Sequence, residues 1–229
     1  MARTPKRQLV IVGDSSFAEV ACELFEEAGD YDVAAFAVSA AFHRRDTLLG
    51  RPVHVLEELA AHCQAETHDA FVALTYRELN RARARLCAEM RARGYGLATY
   101  VSPRASVWRN VTVGENSFIF ENNVVQPFCT IGDNVILWSG NHIGHHSVIE
   151  DHVFIASHVV VSGHCRVGRN SFLGVNATIA DQVSIGPDNW IGPGTLITKD
   201  TEADAMYRAE STPKSAVGAR RFFRVKSDG

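Results

Sequence analysis

From Val107 to Ile197 an aliphatic residue recurs at every sixth position, through Val113, Ile119, Val125 and onward, sixteen times without a break. Four residues after each stands a residue that is mostly small or aliphatic, among them Cys129 and Cys165, and glycine often follows the aliphatic position, as at Gly114, Gly144 and Gly174. A helix needs a period of 3.6 residues and a flat strand a period of two, so a strict six fits a short strand followed by a turn. Three hexads close one triangular coil. Stacked coils pair their backbones at roughly 4.8 Å, with the aliphatic side chains filling the prism and the turns outside. The pattern predicts a parallel β-helix of about five coils.

The position three after each aliphatic residue is filled by Asn116, Asn122, Asn134, His146, His152, His158, His164, Asn170, Asn176 and Asp188, among others. Asn, Asp and His are the non-glycine residues that best tolerate positive φ, which a tight corner demands. His146, His152, His158 and His164 are therefore read as corner residues, and Cys129 and Cys165 as core. His142 and His145 fall off the corner position, which makes them the candidates for chemistry.

The first hundred residues have other periods. Gln8–Gly13 reads as a buried strand, followed by a helix that Ser15 or Ser16 can cap, with Ala18, Ala21, Cys22 and Phe25 on one face. A second strand over 32–38, a helix over 55–62, a third strand over 69–74 and a helix over 79–94 ended by Gly94 complete a small parallel α/β domain. The turn after the first strand has one glycine, Gly13, where a dinucleotide site needs G-x-G-x-x-G, which disfavours NAD and FAD. It still opens a helix, whose N-terminal N–H groups favour phosphate, so a nucleotide-linked ligand at Asp14 and Ser15 is open beside a plain tight turn. The chain divides into residues 1–100, the β-helix over 101–206 and a tail over 207–229.

Composition narrows the class. The chain has 229 residues, 46% hydrophobic and 21% charged, and 23 Lys plus Arg against 26 Asp plus Glu give a formal charge of −3. No basic excess speaks for nucleic acid, and no apolar run is long enough to span a membrane. The five cysteines are widely spaced without a CxxC, which predicts reduced thiols and a cytoplasmic protein. The tail carries a net excess of four positive charges, Lys214 among them.

An α/β domain of about a hundred residues, the linker YVSPRASV, an uninterrupted hexapeptide helix and the tetrad GHHS at 144–147 together resemble bacterial sugar acyltransferases of the sialic-acid O-acetyltransferase family. Within it, the nucleotide-aminosugar N-acetyltransferases are the nearest type, and the resemblance covers essentially the whole chain. It implies a left-handed β-helix, acetyl-CoA as co-substrate without a metal, and a nucleotide-linked amino sugar acetylated for surface glycan synthesis. It further implies a homotrimer with its sites in clefts between β-helices, and Trp108, Trp138 and Phe120 suit such an interface.

The resemblance makes His145 the general base, with His142 as the reserve. It places acetyl-CoA along Ser157, Val175 and Pro193, which recur at coil spacing, with Gly163 near the thioester and Lys214 toward its phosphates. Asp14, Ser15, Ser39 and Asn80 fall at the nucleotide-sugar positions. Two departures stand out: the family follows its histidine with a carboxylate where this chain has His146, and it commonly carries Asp where this chain has Ser39.

Three rival readings differ in class. Sugar O-acetylation is the alternative, mildly disfavoured because a hydroxyl leans harder on a base oriented by the missing carboxylate. A γ-class carbonic anhydrase would need histidine ligands about two coils apart, and no histidine pair has that spacing. A non-enzymatic scaffold leaves the off-corner histidines unexplained.

Overall fold

The computed structural model describes residues 7–225. β1 (Arg7–Val12), α1 (Ser16–Ala28), β2 (Tyr31–Val38), the short strands β3 (Thr47–Leu48) and β4 (Arg51–Val55), β5 (His68–Val72), α2 (Arg81–Ala92) and β6 (Gly96–Leu97) build the N-terminal unit. Its six strands lie in the order β3-β4-β2-β1-β5-β6, and every pair is parallel except β3 with β4. Both faces of the sheet are covered, which is why β1 reads as the unbroken apolar run LVIV. Leu9 and Ile11 pack toward α1, Val10 and Val12 toward α2.

Two expectations for this unit are corrected. The segment 55–62 is a 3₁₀ turn, Leu56–Ala61, in which Leu56 and Leu59 are the buried residues; that i,i+3 spacing matches three residues per turn rather than 3.6. The β3–β4 hairpin, which adds the antiparallel edge, is too short to show a period in sequence.

From Tyr100 the chain enters the β-helix, one hexad earlier than the repeat announces, and the last paired strand is Met206–Tyr207. Two-residue strands stack in parallel into three faces. The first runs from Tyr100–Val101 through Phe118–Ile119, Phe154–Ile155 and Trp190–Ile191; the second from Ser106–Val107 through His142–Ile143 to Leu196–Ile197; the third from Thr112–Val113 through Val148–Ile149 to Ser184–Ile185. From Ile119 to Ile197 the repeated aliphatic residues are buried and, with Cys129 and Cys165, fill the prism; Val107 and Val113 pack against its first coil. Inward serines join successive coils, as Ser147 donates to the Ser162 carbonyl and accepts from the Cys165 N–H. All five cysteines are free and buried. The hand is left, as in the acetyltransferases of like structure.

The corner reading holds in detail. His146, His152, His158 and His164 have φ of 60°, 64°, 58° and 55°, and the corner asparagines named above lie in the same region. Among the described residues no helix is long and apolar enough to cross a membrane.

The N-terminal unit docks on the first face and on the corner between the third face and the first. Phe17 and Phe25 of α1 meet Phe118 edge-on at 5.5 and 5.8 Å. Phe120 is 3% exposed and Trp138 stacks on it at 4.3 Å, so these two serve this internal interface, whereas Trp108 is 52% exposed. At the corner, Arg83 of α2 is fully buried and has no carboxylate partner among the described residues. Its guanidinium donates to Asn134 Oδ1 and to the carbonyls of Leu74, Thr75, Asn134 and His152. Burial pulls its pKa down to about 10, which still leaves it charged at neutral pH. The Asn134 amide in turn lies 3.0 Å from His152 Nδ1; donation to that nitrogen requires a neutral ring.

Arg83→Met leaves several buried acceptors unpaired and is expected to cost about 3 kcal/mol or more in urea denaturation. Burial also holds His152 below its ordinary 6.5, with Asp151 opposing and Arg83 reinforcing the shift. The unfolded chain takes up this proton first as pH falls. The stabilisation from His152 is therefore full above about pH 6.5 and is lost below it. His152→Asn, which keeps the corner, should flatten that part of the acid-side decline in melting temperature.

Candidate active site

Two separate regions carry the candidate residues. The first is a cavity of about 280 Å³ at the C-terminal ends of β1 and β2 and the N-terminus of α1. It is lined by Gly13, Asp14, Ser15, Ser39, Phe42, Thr75 and Arg77, with Val12, Val38, Leu56 and Leu74 among its apolar walls. Gly13 has φ of 128° and passes so close to β5 that a Cβ would sit 3.0 Å from the Ala73 carbonyl oxygen. Ser15 occupies the N-cap of α1, but its side chain makes no capping bond, and Asp14 faces Arg45 at 3.5 Å. The mouth is therefore polar, with first-turn N–H groups at hand for an anion. Arg77, whose guanidinium lies 5.7 Å from the Phe42 ring centre, adds a positive charge there.

Asp14, Ser15 and Ser39 thus share one cavity, and Asn80 does not. Its side chain is wholly buried and donates to the carbonyls of Asn170 and Ser171, so it holds α2 against the β-helix. Lys214 is exposed in a segment without regular structure. Lys226 and Asp228 of the basic tail lie outside the described residues.

The second region is the corner between the second and third faces. His145 N–H donates to Gln126 Oε1 at 2.9 Å, and the His145 carbonyl accepts from His164 N–H at 2.9 Å, so its backbone is held from the coil on either side. Its ring lies against Gly163 of the next coil. A Cβ at Gly163 would meet His145 Cε1 and Nε2 at 3.0 Å, so only glycine leaves the imidazole this position. The Nδ1 atoms of His145 and His146 are 3.1 Å apart, within hydrogen-bond range. His146 is itself layered between Phe128 at 4.7 Å and His164 at 4.8 Å. All three histidines are exposed.

Ser157, Val175 and Pro193 sit on the next corner, between the first and second faces. They and Gly163 therefore flank opposite edges of the second face, and His142 projects from the middle of it, in register with Val124 and Val160. Gln126, Phe128, Arg77 and Phe42 were not singled out in the sequence. The coil period carries a signal for the first two: Phe128, His146 and His164 are each 18 residues apart, and Gln126 is 19 before His145.

Comparison with known proteins agrees with this architecture. The bacterial transferase hexapeptide family matches at residues 110–145, 128–163 and 146–181. Among curated proteins none matches the sequence. Among solved structures, PerB of Caulobacter crescentus, in complex with CoA and GDP-perosamine, is similar at 26% identity with a TM-score of 0.79, over 87% of this chain and 92% of that one. The acetyltransferase domain of PglB from Neisseria gonorrhoeae, in complex with acetyl coenzyme A, is similar at 25% identity with a TM-score of 0.77, over 87% and 94% of the two chains. WeeI of Acinetobacter baumannii shares the fold at 19% identity and a TM-score of 0.68, over 86% and 94%. The bacterial transferase hexapeptide model thus matches residues 110–181, and the chain as a whole has the two-part fold of these acetyltransferases.

Proposed function

We propose that the chain is an acyltransferase that moves an acetyl group from acetyl-CoA to the amino group of a nucleotide-linked amino sugar, serving surface glycan synthesis. The observation that carries this reading is likeness over nearly the whole chain to PerB, a GDP-perosamine N-acetyltransferase solved with CoA and that sugar. The site geometry supports it independently, through a nucleotide-sized cavity at a helix N-terminus and an imidazole held against a glycine on an open corner.

In the reaction the free amine attacks the thioester carbonyl carbon, the C–N bond forms, and the C–S bond breaks to release CoA thiolate. The amine must shed a proton, and His145 takes it as the general base. His146 fills the place of a carboxylate: its Nδ1 accepts from His145 Nδ1–H, which leaves His145 Nε2 free as the base. Phe128 and His164 fix the His146 ring by stacking. Corner N–H groups supply the oxyanion donors. Acetyl-CoA runs along the second face with its thioester at Gly163 and contacts at Ser157, Val175 and Pro193, and Lys214 meets its phosphates. Asp14, Ser15 and Ser39 hold the nucleotide sugar, joined by Arg77.

One chain does not close this site. The cavity belongs to a unit docked on the first face, and His145 stands on the corner opposite that face, with the prism between them. A homotrimer resolves this by turning a neighbour's corner toward the cavity, and exposed Val124, Val160, Val175 and Leu196 offer apolar surface for such packing. In this scheme residues 1–100 bind the sugar, 101–206 bind CoA and catalyse, and the protein works in the cytoplasm beside its acetyl-CoA supply.

The test is release of CoA thiol from acetyl-CoA with UDP-, dTDP- and GDP-linked 3-amino and 4-amino sugars, with the unaminated sugars alongside. Release with an amino sugar alone is expected. Release with a hydroxyl acceptor makes the enzyme an O-acetyltransferase, and silence throughout overturns the reading. His145→Ala should lower kcat by about 10²-fold or more with acetyl-CoA binding kept. A near-native rate would pass the role to His142.

A further inference from the structure

The corner that carries His145 brings three imidazoles together. One nitrogen each from His145, His146 and His164 lies within 4.8 Å of the other two. Neutral imidazole nitrogens are preferred ligands for zinc, with Zn–N near 2.0–2.1 Å, and three of them with one open position form a familiar zinc environment. Ligands at about 2.05 Å in a tetrahedron stand roughly 3.3 Å apart. The His145 and His146 Nδ1 atoms are already 3.1 Å apart, the spacing that a shared ion requires.

The scaffold makes this more than a chance surface cluster. His146 and His164 occupy equivalent corner positions one coil apart, with φ of 60° and 55°, so their Cα–Cβ vectors are parallel and fixed by the coil. Their rings stack at 15°. His145 N–H is held by Gln126, and its carbonyl by His164 N–H. Only side-chain torsions need to change to converge the third nitrogen. Coordination-ready groups on a stiff backbone lose little entropy on binding.

We infer that His145, His146 and His164 form a zinc-type divalent cation site whose occupancy switches off acetyl transfer. The ion would replace the proton shared by His145 and His146, tying up the base and the residue that orients it. The metal is thus an inhibitor, not a cofactor. The inhibitory half rests on the acetyltransferase reading; the binding half does not.

The experiment is equilibrium dialysis of the chelator-stripped protein against micromolar zinc chloride, with CoA release assayed in parallel. One zinc per chain is expected in the unaltered protein, with activity lost on loading and regained with EDTA. His164→Asn keeps a residue suited to the left-handed corner and removes one ligand; it should weaken zinc binding by about tenfold or more. It should also raise the zinc concentration for half-inhibition, relative to its own metal-free rate, in proportion. His158→Asn makes the same change at a corner outside the cluster and should bind zinc as the unaltered protein does. Thermal melting of each variant checks the fold. No zinc bound or equal affinity in His164→Asn overturns the site, and an enzyme as active with zinc as without it overturns its inhibitory role. Zinc bound by a protein that is inactive on every acceptor even when stripped of metal would instead sink the acetyltransferase reading and leave the site standing.

Discussion

From Asn116 to Gly194 each hexad of the β-helix turns its corner through a left-handed backbone conformation, and this one constraint organises the molecule. It favours, at the third residue after the aliphatic position, types that bear positive φ, here mostly asparagine and histidine, with Phe128 and Gln182 as the bulkier exceptions. Because every coil has the same length, side chains at equivalent corners stack in columns. One column, Asn116, Asn134 and His152, faces the N-terminal unit and becomes its docking surface. Another, Phe128, His146 and His164, faces outward and becomes the flank of the proposed base. The same requirement thus produces both a structural joint and a chemical site, separated only by which corner of the triangle they occupy.

Docking depends on polar groups more than its aromatic cluster implies. Phe17, Phe25, Phe118 and Phe120 supply the apolar contact, but the register of α2 is set where Arg83 and Asn80 reach into the corner carbonyls. A buried guanidinium with only neutral acceptors is costly to desolvate, which the lowered pKa reflects. Such an arrangement tolerates little sliding, because each displaced carbonyl would leave a buried donor unmet. The cavity, formed partly by the segment leading into α2, takes its position from this joint.

The β-helix was legible in sequence because core and corner both repeat with the coil, so two independent signals agreed over the same residues. His145 stands out as a candidate for a related reason: it is a histidine where the corner rule does not ask for one. Arg83 was not, since it sits among several arginines in LNRARARLCAEMRARG and looks like part of a solvated face. Its place in one stripe with Cys87 and Met90 was the available sign of burial. Asn80 has its substrate role only from the resemblance, and its local sequence does not separate a residue that meets a ligand from one that meets a packed surface, as it does here. The 3₁₀ turn over Leu56–Ala61 was hidden because an i,i+3 pair fits both helix types over so short a run.

The column of corner residues can also be seen as a row of interchangeable sockets. Asn122, His158 and Asn176 are exposed and share one backbone geometry, so exchanging asparagine for histidine at any of them leaves the coil's dihedral requirements met. Imidazoles can therefore accumulate, pair or disappear along such an exposed column with little penalty to folding, while the core beneath keeps its shape. In such a scaffold new chemistry costs little to try out, and a reactive group can change coil without a change of fold.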